Sequence, residues 1–438
     1  MNTASRFRWT AWLLGLSLLL AAAGCTGGNT SHSGDASGTG SPPVASSSPP
    51  SSAPAESSPA ASPSASPPAA SSPAAPKPIG STPNPTVEVP VNPPPVSKDL
   101  KGDTRTTGAV YAVRMADPQT GWTGGDGWIA RTTDGGKHWT VQLRPQFRVL
   151  QIFALNANKA WATLDIGDKR GAKLIRTTDG GKTWTDAGVV PSYGFFHFVS
   201  DKEAFSSRFR TTDGGKTWTA LPTPGKLAGE AYFHDAANGW AVTNGTKGFS
   251  ILRTTDGGQS WKTVFTRDSI VLPTDAIIRS AGKNDAWVEL VGNAGMSQRS
   301  YSLFHTTDGG KTWQPVVANS GAGSGPAPGF AMDENKVPRN GGSSPGTLYV
   351  VNTRVAFLGG QCQACDNPNT LGKTTDGGKT WKNLTPQYPG YAPQQIAATD
   401  ADHVWWINAD SVEPSRMYVT SDGGKHWTLT HTFDKPKG

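Results

Sequence analysis

The chain has 438 residues, 40 Lys and Arg against 33 Asp and Glu for a formal net charge of +7, and only three cysteines. So modest an excess does not by itself argue for a nucleic-acid surface. After the first 24 residues no segment resembles a membrane span.

The first eight residues carry Arg6 and Arg8, and a mostly apolar run from Trp9 to Ala23 leads to Gly24 and Cys25. About fifteen apolar residues fall short of the ~18–20 that a spanning helix needs, so residues 1–24 read as a signal peptide. Leu20-Ala21-Ala22-Ala23-Gly24-Cys25 resembles a bacterial lipobox. The resemblance implies cleavage before Cys25, lipidation of that cysteine, and attachment to the extracytoplasmic side of a bacterial cell membrane. Loss of Arg6 and Arg8 with the signal leaves a mature charge of +5.

From Thr26 to about Lys101 the chain is Pro, Ser, Ala, Gly and Thr with almost no large apolar residue. It cannot build a core, so residues 25–105 read as a lipidated N-terminus and a disordered linker, with a reach of roughly 50 Å as a flexible coil.

Seven copies of one motif follow. The first is Thr132-Thr133-Asp134-Gly135-Gly136-Lys137-His138-Trp139, and the others end at Trp184, Trp218, Trp261, Trp313, Trp381 and Trp427. Their aspartates, Asp134, Asp179, Asp213, Asp256, Asp308, Asp376 and Asp422, are separated by 45, 34, 43, 52, 68 and 46 residues. That spacing suits a four-stranded antiparallel sheet with its turns, and a ring of such sheets is a β-propeller. The fold expected is therefore all-β, a single seven-bladed propeller over 106–433 with a short tail at 434–438. In the motif, Asp accepts backbone N–H bonds across a tight loop, the glycines permit positive φ, and Trp plugs the next strand. A weaker echo precedes each copy: Gly121-Trp122, Ala160-Trp161, Ala204-Phe205, Gly239-Trp240, Ala286-Trp287, Ala356-Phe357 and Val404-Trp405. Strand one of a blade ends before this pair, strand two starts at it, strand three leads into the Asp motif and strand four leaves it. Val149 to Leu155 is continuously apolar apart from Gln151, which predicts a strand in the packed interior of the ring.

The motif resembles the Asp-box, or BNR repeat, and all seven copies match its fixed positions. The Gly-Trp turn followed by Arg-Thr-Thr-Asp-Gly-Gly-Lys-Thr-Trp is most similar to the photosystem II assembly and stability factor family. That family also has seven blades, and its cyanobacterial members are lipoproteins. The resemblance implies a binding platform that helps assemble a membrane complex, though the present tether is longer than that family suggests and the client is not carried over.

Identical aspartates in every blade cannot define one active site, so they read as structural. Lys137, Lys182, Lys216, Lys311, Lys379 and Lys425 lie inside six boxes, and Arg131, Arg176, Arg210, Arg253 and Lys373 precede five. They read as solvated charge at the hairpin tips. The opposite face, made by the loops from strand two to three and from strand four to the next blade, varies more and holds the binding candidates. Blade two offers Asp165, Asp168, Lys169 and Arg170; the connection into blade three offers Tyr193, Phe195, Phe196 and His197. Blade five offers Arg299, the connection into blade seven Tyr388 and Tyr391, and blade seven Glu413 and Arg416. Of these, Tyr193, Phe196, Arg299, Tyr388 and Arg416 are the anchors expected for a partner. The longest connection, Ala318 to Thr347, should share that face with the loop holding Cys362 and Cys365. In an exported protein this pair reads as a disulfide; no second ligand pair supports zinc, and Asp366 stands where haem attachment needs histidine.

No catalytic set is legible, and no metal or cofactor is implied. The reading is a monomeric, membrane-anchored platform that binds a protein partner and no nucleic acid. The alternatives are a sialidase-like or xyloglucanase-like glycoside hydrolase and a non-catalytic glycan- or wall-binding module. Hydrolysis needs paired carboxylates, or a Tyr nucleophile with arginines, and the Arg-Ile-Pro motif of sialidases is missing.

Overall fold

A computed structural model of the chain describes residues 103–436, except 107, 168, 170, 333–335, 363, 364 and 367. Cys25, the linker to residue 102, and the candidates Asp168 and Arg170 lie outside the described residues.

Seven sheets form seven blades, each a meander of consecutive antiparallel strands. Blade one comprises β1 (Val110–Met115), β2 (Gly121–Gly125), β3 (Trp128–Thr132) and β4 (Thr140–Leu143). Blade two comprises β5 (Arg148–Ala154), β6 (Ala160–Asp165), β7 (Ala172–Thr177) and β8 (Thr185–Val190). Blade three is the shortest, with β9 (Phe196–Phe198), β10 (Ala204–Ser206), β11 (Phe209–Thr211) and β12 (Thr219–Ala220). Blade four holds β13 (Tyr232–Phe233), β14 (Gly239–Asn244), β15 (Gly248–Thr254) and β16 (Lys262–Asp268). Blade five holds β17 (Asp275–Arg279), β18 (Ala286–Ala294), β19 (Arg299–Thr306) and β20 (Gln314–Asn319). Blade six adds a fifth short strand: β21 (Ser344–Val350), β22 (Ala356–Gln361), β23 (Pro368–Thr374), β24 (Lys382–Asn383) and β25 (Tyr388–Pro389). Blade seven is β26 (Gln395–Ala398), β27 (Val404–Asn408), β28 (Arg416–Thr420) and β29 (Thr428–Thr432).

The motif closes the turn between strands three and four in the same way seven times. Its first threonine (Thr132, Thr177, Thr211, Thr254, Thr306, Thr374, Thr420) is buried. The hydroxyl donates to the box aspartate at 2.7–2.9 Å. The same oxygen accepts the N–H of the second glycine at 2.8–3.1 Å. Both glycines hold positive φ, 74–81° at the first and 84–101° at the second, a region costly for any residue with a Cβ. The first glycine donates to a carbonyl in the strand one-to-two turn of its own blade, from Gly135 to Gln119 at 2.9 Å through Gly423 to Asp402 at 3.1 Å. Each box therefore locks two turns together.

The ring closes without exchanging a strand, since blades one and seven are each built from consecutive segments. Val110, Val113, Trp128 and Trp139 of blade one pack with Trp405, Ile407 and Met417 of blade seven, and Phe433 stacks on Trp128 with centroids 6.0 Å apart. Polar contacts tie the ends: Thr106 N–H donates to Asp434 at 2.5 Å, and Val141 N–H donates to the Asp103 carbonyl at 2.8 Å.

The inner strand of blade two differs from the packed-interior expectation. Val149, Ile152 and Ala154 are buried, but Leu150, Gln151 and Phe153 are half-buried. Leu150 and Gln151 line one central cavity and Phe153 lines another. An unbroken apolar run here serves two environments, a neighbouring blade on one side and an open channel on the other.

The box hydrogen bonds set an acid limit. Bonds from the Ser260 hydroxyl and N–H and from Thr254 hold the Asp256 carboxyl down at about 2. A carboxylate held below its unfolded value, about 3.9, contributes stability that is present above about pH 4 and lost as pH falls towards 2. Asp256 is itself exposed whereas Thr254 is buried. Thr254→Val should therefore cost roughly 1–3 kcal/mol, through the stranded Gly258 N–H, and Asp256→Ala about 1 kcal/mol. Denaturant melts at pH 7 and pH 3 check both; an Asp256→Ala protein that loses as much stability between these pH values as the parent contradicts the assignment.

Candidate functional site

Strand direction sorts the loops onto two faces. The strand one-to-two turns and the boxes share one face; the strand two-to-three loops and the inter-blade connections share the other. The residue opposite the strand-two aromatic is Arg131, Arg176, Arg210, Arg253, His305 and Lys373 in blades one to six. Several of these cross to the next blade instead of standing in solvent. Arg131 lies over Trp122 at 5.3 Å and donates to the Ala157 carbonyl at 3.0 Å. Arg253 lies over Trp240 at 5.3 Å and donates to the Lys283 carbonyl at 3.0 Å. His305 stacks on Trp287 at 3.6 Å, with Nε2 on Asp285 at 2.8 Å and Nδ1 at 2.9 Å from the Gly377 carbonyl. Lys373 donates to the Gly423 carbonyl at 2.6 Å. The expectation of solvated charge thus fails for Arg131, Arg253 and Lys373, while Arg210 pairs with Glu203 of its own blade at 2.7 Å. That expectation describes the box lysines Lys137, Lys182, Lys216, Lys311, Lys379 and Lys425, which are exposed.

On the loop face, Tyr193 and Tyr391 are 45% and 58% exposed, and Arg299 and Arg416 are exposed at the starts of β19 and β28. Tyr388 is half-buried and stacks on Tyr418 at 3.5 Å, two residues beyond Arg416, so these two candidates are brought together while Tyr193 and Arg299 belong to other blades. Phe196 is not on the surface. It is buried against Phe153 and Phe198, because in the Phe195-Phe196 pair the strand alternation turns Phe196 to the core and Phe195 to the channel. His197 is buried too, stacked between Phe205 and Tyr232, and burial pushes its pKa down to about 3. Asp165 caps Gly167 N–H at 3.1 Å, Lys169 is exposed, and Glu413 pairs with Lys435 at 2.9 Å.

The long connection after β20 is pinned at both ends. Asn319 and Asn340 exchange hydrogen bonds of 2.9 and 2.8 Å, Phe330 stacks on Phe304 at 5.5 Å, and Arg267 lies over Phe330 at 4.6 Å. Ser343 donates its N–H to Gln361 at 2.9 Å, so this connection meets the cysteine loop on one face. Cys362 and Cys365 are joined by a disulfide.

The inner strands surround a central channel with two cavities, of about 300 Å³ and about 260 Å³. Arg114, Phe195, Arg279, Leu348 and Tyr349 line both. Arg114 sits 4.6 Å over Phe153 and 5.7 Å over Tyr349; Arg279 sits 3.8 Å over Phe195. Behind Arg279, Glu289 is fully buried, and burial pushes its pKa up to about 8 against the opposing pull of Arg279, with Asp275 adding to the rise. Burial also raises Glu230, with Asp275 adding to the shift. Arg114 and Arg279 escaped the sequence reading, which sought binding residues in loops. Their signal was a single arginine near the end of an otherwise apolar strand one, as in Ala276-Ile277-Ile278-Arg279.

Several known proteins share partial similarity with the chain. The family profile of sortilin, neurotensin receptor 3, matches residues 206–322, from the end of β10 to just past β20. No curated protein matches the chain. Among solved structures, YCF48 bound to D1 peptide is 17% identical, with a TM-score of 0.42, covering 73% of this chain and 90% of its own. YCF48 from Cyanidioschyzon merolae is 16% identical at a TM-score of 0.42, covering 74% and 96%. The β-propeller domain of the Trilobed protease from Pyrococcus furiosus is 8% identical at 0.45, covering 76% and 98%.

The disulfide should be present in protein purified without reductant. Intact mass with and without reduction checks it: a gain of about 2 Da from loss of one S–S bond is expected, and free thiols or stoichiometric zinc would contradict it.

Proposed function

We propose that this chain is a membrane-tethered binding propeller, lipidated at Cys25, with residues 26–101 as its tether, whose loop face engages a protein partner at the outer side of the membrane. The observation that carries the reading is the inequality of the two faces. Seven boxes repeat one hydrogen-bond pattern, which suits a shared structural task. The loop face differs in every blade, as recognition of an asymmetric partner requires, and it presents Tyr193, Arg299, Tyr391 and Arg416 to solvent. Exposed aromatic and arginine side chains are the residue types that most often carry interface energy. The resemblance to the photosystem II assembly factors supports a role in assembling a membrane complex, with the client left open.

Pull-down from detergent-solubilised membranes, beside a glycan-binding screen, identifies the partner class. With the partner in hand, alanine at Tyr193, Arg299, Tyr391 or Arg416 should weaken binding, the strongest by about 2 kcal/mol. Alanine at Lys182 or Lys379 should weaken it mainly at low salt. A lysine set that abolishes binding while the loop set leaves it intact overturns the choice of face. Cys25→Ser should release the protein from membranes; a variant that stays in the membrane fraction, with no fatty-acid label on the parent, refutes the anchor.

A further inference from the structure

We propose that the central channel is a binding site for a small organic carboxylate, held between Arg114 of blade one and Arg279 of blade five with its apolar body against Phe195, Leu348 and Tyr349.

Two cations from opposite parts of the ring line the same two cavities, and among the described residues neither has a carboxylate within 4.0 Å. This is unusual company for two half-buried arginines, because a guanidinium partly withdrawn from water is normally paired. A guanidinium carries five N–H donors in a planar fork. One nitrogen of Arg279 donates to its neighbour's carbonyl, Ile278, at 2.8 Å, and no other side-chain bond holds it among the described residues. Arg114 has no side-chain hydrogen bond to a described residue, and its Nε is buried without a partner. Both groups are instead held by aromatic faces, Phe153 and Tyr349 for Arg114 and Phe195 for Arg279. Rings that fix the guanidinium plane leave its edge free for an acceptor in the channel, which is how a preorganised anion site is built.

The acids nearby act on Arg279 only at a distance, without a direct ion pair among the described residues. Glu289 is sealed from solvent, where burial favours its neutral form, and Glu230 and Asp275 belong to a neighbouring cavity that Arg279 also lines. A bound anion would give both guanidinium groups a direct acceptor.

Size and wall chemistry narrow the class. About 300 Å³ lies at the lower end of ligand pockets, which run from roughly 300 to 1,000 Å³. The remaining walls mix Val113, Ile152 and Ile396 with Gln151, Thr347 and Gln395. Bidentate arginine suits a planar carboxylate, and apolar walls suit the hydrocarbon attached to it, whereas inorganic phosphate would leave them unused. The site is independent of the loop-face partner and stands or falls separately.

Calorimetric titration of the purified full chain with benzoate, phenylacetate, benzamide and inorganic phosphate tests it. The carboxylates should bind, and benzamide and phosphate should not. Arg114→Gln and Arg279→Gln should each weaken binding by about tenfold or more, with Arg114→Lys and Arg279→Lys recovering part of it. Lys262→Gln, which removes the same charge from an exposed strand, should leave binding unchanged. Failure of both carboxylates to bind at millimolar concentration, equal binding of benzamide or phosphate, or undiminished binding by a folded double Gln variant would each overturn the proposal.

Discussion

A threonine hydroxyl that is buried, donates to an aspartate and accepts a glycine N–H occurs at the same place in all seven blades, and the architecture depends on it. The turn between strands three and four needs two consecutive residues at positive φ, which leaves their N–H groups pointing inward and in want of acceptors. The threonine supplies one acceptor and the neighbouring strand one-to-two turn supplies the other. The aspartate orients the threonine and carries the exposed end of the turn. Four strands become a blade because both turns on one edge are fixed by the same few atoms.

Four of the junctions between blades use a second repeated device. The aromatic at the start of strand two is covered across the sheet by a cation or a histidine whose far end reaches a carbonyl of the next blade, as Arg131, Arg253, His305 and Lys373 do. One side chain thus couples core packing within a blade to hydrogen bonding between blades. In blade three Arg210 instead pairs with Glu203 of its own blade, and in blade seven Val419 replaces the cation opposite Trp405. There the join is apolar, with Phe433, Trp128 and Trp139 in contact and Asp434 tied to Thr106. This explains how a ring with no shared strand stays shut.

Blade number, strand order and the structural role of the box aspartates were legible because they repeat. Repetition averages away local ambiguity, and the Asp-Gly-Gly-x-x-Trp spacing admits few backbones. Features that occur once were harder to read. Phe196 and Phe195 are adjacent and chemically equal, and only the register of a three-residue strand decides which is core. Arginines before the boxes look like surface charge until the neighbouring blade is in place. Arg114 and Arg279 sit in strands, 165 residues apart, and meet only because the ring closes. Among the loop candidates, Tyr193, Arg299, Tyr391 and Arg416 are exposed, and chain direction alone assigns each to its face.

Structural economy on one face leaves the other face and the channel free to vary, and that division is what the functional reading rests on. Its foundation, the box lock, can be measured directly by native-state hydrogen exchange at the second glycine of each box: Gly136, Gly181, Gly215, Gly258, Gly310, Gly378 and Gly424. These amides should exchange among the slowest in the protein despite lying in surface turns, and Thr254→Val should accelerate Gly258 far more than Gly424. Exchange of all seven at the rate of ordinary exposed turns would contradict the account.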